Sequence, residues 1–315
     1  MTDRRRINGP SEGTTPPVFA SAVVTKPTPT RAPDSLRKIF LKTSLTPPAT
    51  GSAFLELPSP APYPNSSTLK ITASVYGPRP LPSSAAFSPH ARLTAELKFA
   101  PFSTPHKRRG YVRDAVERDL SVQLQNALVK SIKTGAYPKS GIDVFITVLD
   151  CEGGLDGDDD EGVEVGLMGV LAGAITCASA AVADAGIECV DLVSGGVAAL
   201  VKRPQNSDAM DTDGMNAPML VLDPSPADGY QILSAAVVGY MAGREEVTLL
   251  WTKGSVGILD GEEDELDLLM DGAIMTATAV RLVLNEAVKE RMLLGLARSK
   301  GKLKEDGGGD VAMSS

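Results

Sequence analysis

The chain is 315 residues long, with 31 Lys and Arg against 39 Asp and Glu, a net charge of −8 and a pI near 5.0. Hydrophobic residues make up 43% and aromatics only 4%, so a core is affordable and is built mostly from Ala, Val, Leu and Ile. That balance excludes a free-standing basic RNA-binding module; any RNA contact is local or shared with a partner. Cys151, Cys177 and Cys189 form no CxxC pair, and His90 and His106 are the only histidines. Neither a disulfide framework nor a zinc site follows from such spacing, and a reducing, intracellular compartment is expected.

Residues 1–30 are rich in Pro, Thr, Ser and Arg without periodicity, which predicts a disordered tail. Arg4, Arg5 and Arg6 precede no apolar run, so no signal peptide is expected. Arg31 to Phe40 is the first ordered piece. Gly51–Leu57 and Thr68–Pro80 read as strands around a Pro-rich loop, and Arg92–Phe99 alternates at Leu93, Ala95, Leu97 and Phe99. The first third is therefore expected to be an antiparallel meander. A loop carrying His106, Lys107, Arg108 and Arg109 follows. A helix is expected from Tyr111 to Lys133, with Val116, Leu120, Leu124, Leu128 and Ile132 as its stripe and Gly135 beyond its end.

Ile142, Val144, Ile146 and Val148 recur with a period of two, which predicts a strand. Cys151 to Gly154 and an acidic loop at 155–164 come next. The segment from Val165 to Ala183 is uncharged but dominated by small residues, whose transfer into lipid is weakly favourable at best. It predicts a packed core helix ending at Gly186, not a membrane span. Ile187–Val193 and Gly196–Lys202 read as paired strands around Gly195-Gly196. Residues 203–217 are a polar insertion; 219–223, 232–241 and 247–252 are strands. The last helix is expected from Leu266 to Ser299, with a stripe of Ile274, Ala277, Val280, Leu284, Val288, Met292 and Leu296. Residues 300–315 then form a tail. The element order predicts an α/β fold of mixed β-sheets packed with helices, in one domain over 31–299.

The phrase YPKSGIDVFITVLDCEGG, Tyr137 to Gly154, followed by GAITCASAAVADAGIECVDLVSG, Gly173 to Gly195, resembles the central segment of the RNase PH family of phosphorolytic exoribonucleases. Arg31-Ala-Pro-Asp-Ser-Leu-Arg37, Gly51-Ser52 and Gly77-Pro78-Arg79 occur in that family's order. The resemblance implies the RNase PH-like fold, of the ribosomal-protein-S5-domain-2 type. It also implies a chemistry in which inorganic phosphate splits the terminal RNA linkage. A Ser/Thr-Arg pair then holds phosphate against RNA phosphate, and acids on a later strand act as proton donor or metal ligand.

The sequence departs from that pattern at each point. The family's Asp-Gly-Gly turn reads Glu152-Gly153-Gly154, and Asp156, Asp158, Asp159, Asp160 and Glu161 crowd behind it, where they repel phosphate. The Ser-Arg pair aligns with Val170-Leu171, and no arginine occurs between Arg118 and Arg203. Ser234, or Leu233 in the alternative register, aligns with the family's catalytic acid, and Gln123 stands where the family often has an arginine. Leu222-Asp223-Pro224 matches a phrase of eukaryotic non-catalytic members. Catalytic residues are therefore expected to be absent, with Glu152, Leu171 and Ser234 as degenerate positions. No metal and no cofactor are expected: the acidic loop lacks EF-hand spacing, and Cys151 reads as a buried thiol.

On this resemblance the chain is a non-catalytic ring subunit of the eukaryotic RNA exosome. Its implied partners are other RNase PH-like ring subunits, S1/KH-type RNA-binding cap subunits and single-stranded RNA, in the nucleus, nucleolus and cytoplasm. Arg79, Lys107, Arg108 and Arg109 are the RNA-channel candidates, holding backbone phosphate without reading sequence. Two alternatives stay open: an active phosphorolytic exoribonuclease using Asp223 and Asp228 as acids, and a chain that lends Lys107, Arg108 or Arg109 to a neighbour's site.

Overall fold

The computed structural model describes residues 31–58, 68–103, 110, 112–151, 165–202, 218–228, 230–254 and 265–306. The tail at 1–30, Lys107, Arg108, Arg109, Glu152, the acidic loop 155–164 and the insertion 203–217 lie outside the described residues.

Two sheets carry the fold. The first has the order β1-β2-β3-β5-β4, from β1 (Phe40–Thr43), β2 (Gly51–Leu57), β3 (Leu69–Pro80), β4 (Arg92–Phe99) and β5 (Ser140–Asp150). Period-two alternation decides its faces. Leu69, Ile71, Ala73 and Val75 of β3 are buried, while Lys70, Thr72, Ser74 and Tyr76 are half-buried on the other side. β1, β2 and β3 are antiparallel neighbours as expected, but β4 does not continue the meander. It pairs in parallel with β5, Leu93 opposite Ile142 and Phe99 opposite Val148. A one-face-buried strand shows the same alternation with either neighbour, so the pattern alone does not fix the partner. The intervening helix does, because parallel neighbours need a crossover.

That crossover is α1, Ala115–Val129. The helix begins four residues later than its apolar spacing suggests because Asp114 caps it. Asp114 accepts from the Ala115 N–H, and Glu117 reaches back to the Asp114 N–H at 3.1 Å. The other oxygen of Glu117 accepts from the Phe99 N–H at 2.9 Å, and Ser121 accepts from Leu97 at 2.9 Å. Two polar side chains thus join α1 to the edge strand β4. The helix also ends before Gly135, and a short 3-10 turn at Thr134–Ala136 follows.

The second sheet is antiparallel, in the order β7-β6-β8-β9, from β6 (Ser194–Val201), β7 (Met219–Leu222), β8 (Ile232–Met241) and β9 (Glu246–Gly254). α2, Val165–Asp184, lies between the sheets, packed on β2 and β3 on one side and β6 and β8 on the other. It is long and apolar enough to cross a membrane, but 89% of its most apolar window is buried within the fold. Leu167, Met168, Leu171 and Ile175 are all at most 3% exposed, and each contributes about 1.5–3 kcal/mol by burial.

α3, Glu265–Asp306, covers the opposite face of the second sheet. β6 is therefore clamped between two helices, and Gly195 and Gly196 make that possible. A Cβ on Gly195 would lie 2.3 Å from the Ala172 carbonyl of α2; one on Gly196 would lie 2.1 Å from the Ala273 carbonyl of α3. Consecutive strand residues point to opposite faces, so the pair admits one helix on each side.

Three expectations are corrected. Ile187–Val193 is not a strand. Its backbone serves the end of α1, with Val190 donating to Ser131 and Glu188 accepting from Lys133, and only Cys189 makes a bridge, to Ile132. α3 does not stop at Ser299 but continues to Asp306. Its stripe also fails at the end: Ala277, Val280 and Leu284 are buried, whereas Met292 is 61% and Leu296 58% exposed. A four-residue step overshoots the 3.6-residue turn by about 40°, so 284, 288, 292 and 296 rotate steadily off the buried face.

Candidate functional site

The N-terminal strap, Arg31 to Ile39, is bound to the turn after β7. Arg37 donates from Nε to Asp223 Oδ2 at 2.8 Å and from a terminal nitrogen to Oδ1 at 2.7 Å, and its backbone N–H adds a third bond at 3.1 Å. Arg31 donates to Asp228 Oδ2 at 3.0 Å and to the Asp223 carbonyl. Asp228 Oδ2 also accepts the Ser225 N–H at 3.1 Å. The Asp228 side chain is 1% exposed and that of Arg37 4%. Burial pushes the Tyr230 hydroxyl above its usual pKa, and the nearby Asp228 carboxylate adds to the effect. That hydroxyl donates to the Arg31 carbonyl at 3.3 Å.

This clamp closes one end of a cavity of about 200 Å³. Its walls come from Ile39, Leu55 and Leu57, from Gly169, Gly173 and Thr176 of α2, and from Val280 and Val283 of α3. Most of that surface is hydrocarbon. Arg37, the guanidinium at its rim, is engaged by Asp223. The cavity has the shape for an apolar group, with Lys38 the other cation in its lining.

The structure places the sequence-derived positions apart. Leu171 is fully buried in α2, on the side of the second sheet that faces the first. Ser234 of β8 pairs with Leu200 and Gly254 and shares the α3-facing side with Ala236 and Val238. It is 1% exposed, and its hydroxyl has no hydrogen-bond partner among the described residues. The two positions thus face opposite sides of one sheet. Asp223 and Asp228, the acids of the catalytic alternative, are instead held by Arg37 and Arg31. Sequence reading named all four residues without pairing them. The signal was a pair of arginines near the start and a pair of acids near residue 225, each pair one short turn apart.

Arg79 lies at the exposed end of β3, with its guanidinium carbon 4.7 Å from the Tyr76 ring centroid. Tyr76 meets Phe145 of β5 edge to face at 5.8 Å, and Phe145 is 41% exposed. Tyr76 and Phe145 escaped sequence reading because their adjacency depends on the β3–β5 register. Cys151 is buried and its thiol donates to the Ser103 carbonyl at 3.1 Å. Burial raises the Cys177 thiol far above its usual pKa and also raises Cys189. Among the described residues no group of three or more His, Cys, Asp or Glu side chains could hold a metal ion.

Residues 35–188 match the family model described as the 3′ exoribonuclease family, domain 1, RNase PH. A relative from Chaetomium thermophilum, named exosome complex component MTR3, is 43% identical over 297 residues, 92% of this chain and 99% of its own length. The chain belongs to the RNase PH family. A second relative, exosome complex component mtr3 of Schizosaccharomyces pombe, is 34% identical over 91% of this chain and 96% of its own. The RNase PH-like fold is also seen by superposition. The crystal structure of rice Rrp46 aligns over 82% of this chain and 98% of its own, with a TM-score of 0.58 at 18% identity. In this chain the strap, α2 and the turn at Asp223 meet around the cavity.

Proposed function

We propose that the chain is a non-catalytic ring subunit of the RNA exosome. It supports 3′-to-5′ RNA processing and degradation by completing the ring, docking S1/KH-type cap subunits and lending part of a channel wall to single-stranded RNA. Its neighbours are other RNase PH-like subunits, and it works in the nucleus, the nucleolus and the cytoplasm. Full-length similarity to relatives named as exosome components supports the assembly.

The observation that carries the non-catalytic reading is the clamp. Phosphorolysis needs a cation and an acid converging on reacting phosphates. Here the two arginines of the strap neutralise the two acids of the 223–228 turn, and Leu171 stands buried where the family's arginine aligns. Glu152 completes the set of degenerate positions. RNA contact is assigned to Arg79, where a cation and the aromatic edge of Tyr76–Phe145 serve backbone and base together; Lys107, Arg108 and Arg109 are its sequence-level companions. The test is incubation of the purified chain with oligoadenylate and inorganic phosphate. No release of nucleoside diphosphate is expected. Release that disappears with Asp228→Ala would establish the enzyme reading instead.

A further inference from the structure

The strand edge beside the cavity is one hydrogen bond short. β7 pairs only with Ala198–Val201 of β6, and α2 serves the edge of the other half. Ser179 Oγ accepts the Val193 N–H at 3.0 Å, and Thr176 Oγ1 accepts the Gly195 N–H at 3.0 Å. Val197 is next on that edge, and its carbonyl accepts the Asp223 N–H at 3.0 Å. The N–H of a residue in an antiparallel strand points the same way as its carbonyl. Among the described residues the Val197 N–H forms no hydrogen bond there. The Asp223 carbonyl accepts from Arg31, and the α2 residues that line the cavity with Val197, short of Thr176, are Gly169, Ala172 and Gly173, which carry no hydroxyl. Val197 is 3% exposed, and an orphaned N–H at such burial is rare.

The cavity that Val197 borders measures about 200 Å³. A dry apolar cavity of about 150 Å³ takes one benzene, so this one has room for a ring or a short chain with a polar end. Packing does not explain the space. A Cβ on Gly169 would meet nothing within 4 Å, although glycine inside a helix costs about 1 kcal/mol relative to alanine. The lining hydroxyls are spent within their own helices, Thr176 on the Ala172 carbonyl and Thr276 on the Gly272 carbonyl. Arg37 and Asp223 satisfy each other. Lys38 is exposed in the lining and has no ion-pair partner among the described residues. The space thus combines a hydrocarbon wall with one orphan donor and one cation, and both of these call for an anionic acceptor. We infer that the cavity binds a compact apolar monocarboxylate, its hydrocarbon part over Gly169 and Gly173 and its carboxylate shared by the Val197 N–H and Lys38. This site is independent of the assembly reading above.

The test titrates the purified full-length chain with phenylacetate, hexanoate and the uncharged phenylacetamide. Each titration is followed by the thermal midpoint and by the amide signal and hydrogen exchange of Val197. At ten times its Kd a carboxylate should raise the midpoint by about 3 °C, shift the Val197 amide signal and slow its exchange. Lys38→Met should weaken phenylacetate about ten-fold and leave phenylacetamide unchanged. Gly169→Leu, which fills the space, should abolish the response to all three. No response to any probe would mean that the space holds only water, and would overturn the inference. So would binding that leaves the Val197 amide unmoved, that survives Gly169→Leu, or that is as tight for phenylacetamide as for phenylacetate. If Gly169→Leu does not fold, the Val197 amide of the wild-type chain decides alone. Each of these outcomes leaves the ring reading untouched, because that reading is tested by the chains recovered with this one.

Discussion

Asp223 ties the N-terminal strap to the turn after β7. It accepts three bonds from Arg37, counting the backbone N–H, and its carboxylate lies 3.6 Å from Arg31. Removing its charge takes the two-point carboxylate contact away from a guanidinium whose side chain is 4% exposed. Asp223→Asn is expected to lower stability by about 3 kcal/mol, read as a shift of the urea midpoint. Asp191 makes a parallel junction with Arg281, within the body of α3. Burial pushes its carboxyl up, but the Arg281 guanidinium and the Gly243 and Leu192 N–H groups outweigh it and hold the pKa below the usual value. A carboxylate with a depressed folded pKa stabilises the fold above its unfolded pKa and loses that contribution as pH falls through the folded one. Stability should therefore drop on acidification through and below the usual carboxylate range. Arg281→Met should flatten that limb; an unchanged acid limb would show that the pair is not its cause.

At the scale of elements, β6 decides the layering. It is flanked by α2 and α3 at van der Waals distance because residues 195 and 196 lack side chains. Gly196→Ala would force α3 outward and is expected to cost about 2–3 kcal/mol, seen as a lower thermal midpoint; no change would mean that α3 is not seated on β6. The strands and their buried faces were legible, since β3, β4 and β5 alternate cleanly and α2 is apolar on all sides. The neighbours were not. β4 reads identically beside β3 or β5, and only the length of the α1 connection separates the two. Ile187–Val193 looked like a strand because it alternates, but its hydrogen bonds go to the end of α1. Of the site, the sequence marked Arg31, Arg37, Asp223 and Asp228 as members of separate phrases. Their pairing spans 186 residues or more, a separation at which local pattern carries no information. Met292 and Leu296 were misplaced for a geometric reason, the drift of a four-residue repeat around a 3.6-residue helix.

At the scale of the whole molecule, the chain combines the family's fold with a net charge of −8, so the RNA contact proposed for it would fall on small basic regions. Arg79→Ala in the assembled complex is expected to weaken single-stranded RNA binding equally across sequences and to reduce the salt-dependence slope by about 1. A change confined to one sequence would contradict a backbone contact. Ring closure by unlike neighbours uses two different surfaces on each subunit, which suits a chain whose value lies in its faces more than in a pocket. The most direct measurement is a mild affinity purification at native expression level, with the mass of the intact complex and the identity of each chain determined together. The account predicts near-stoichiometric recovery with several other RNase PH-like chains and RNA-binding cap proteins. Recovery as a lone homo-oligomer would contradict it.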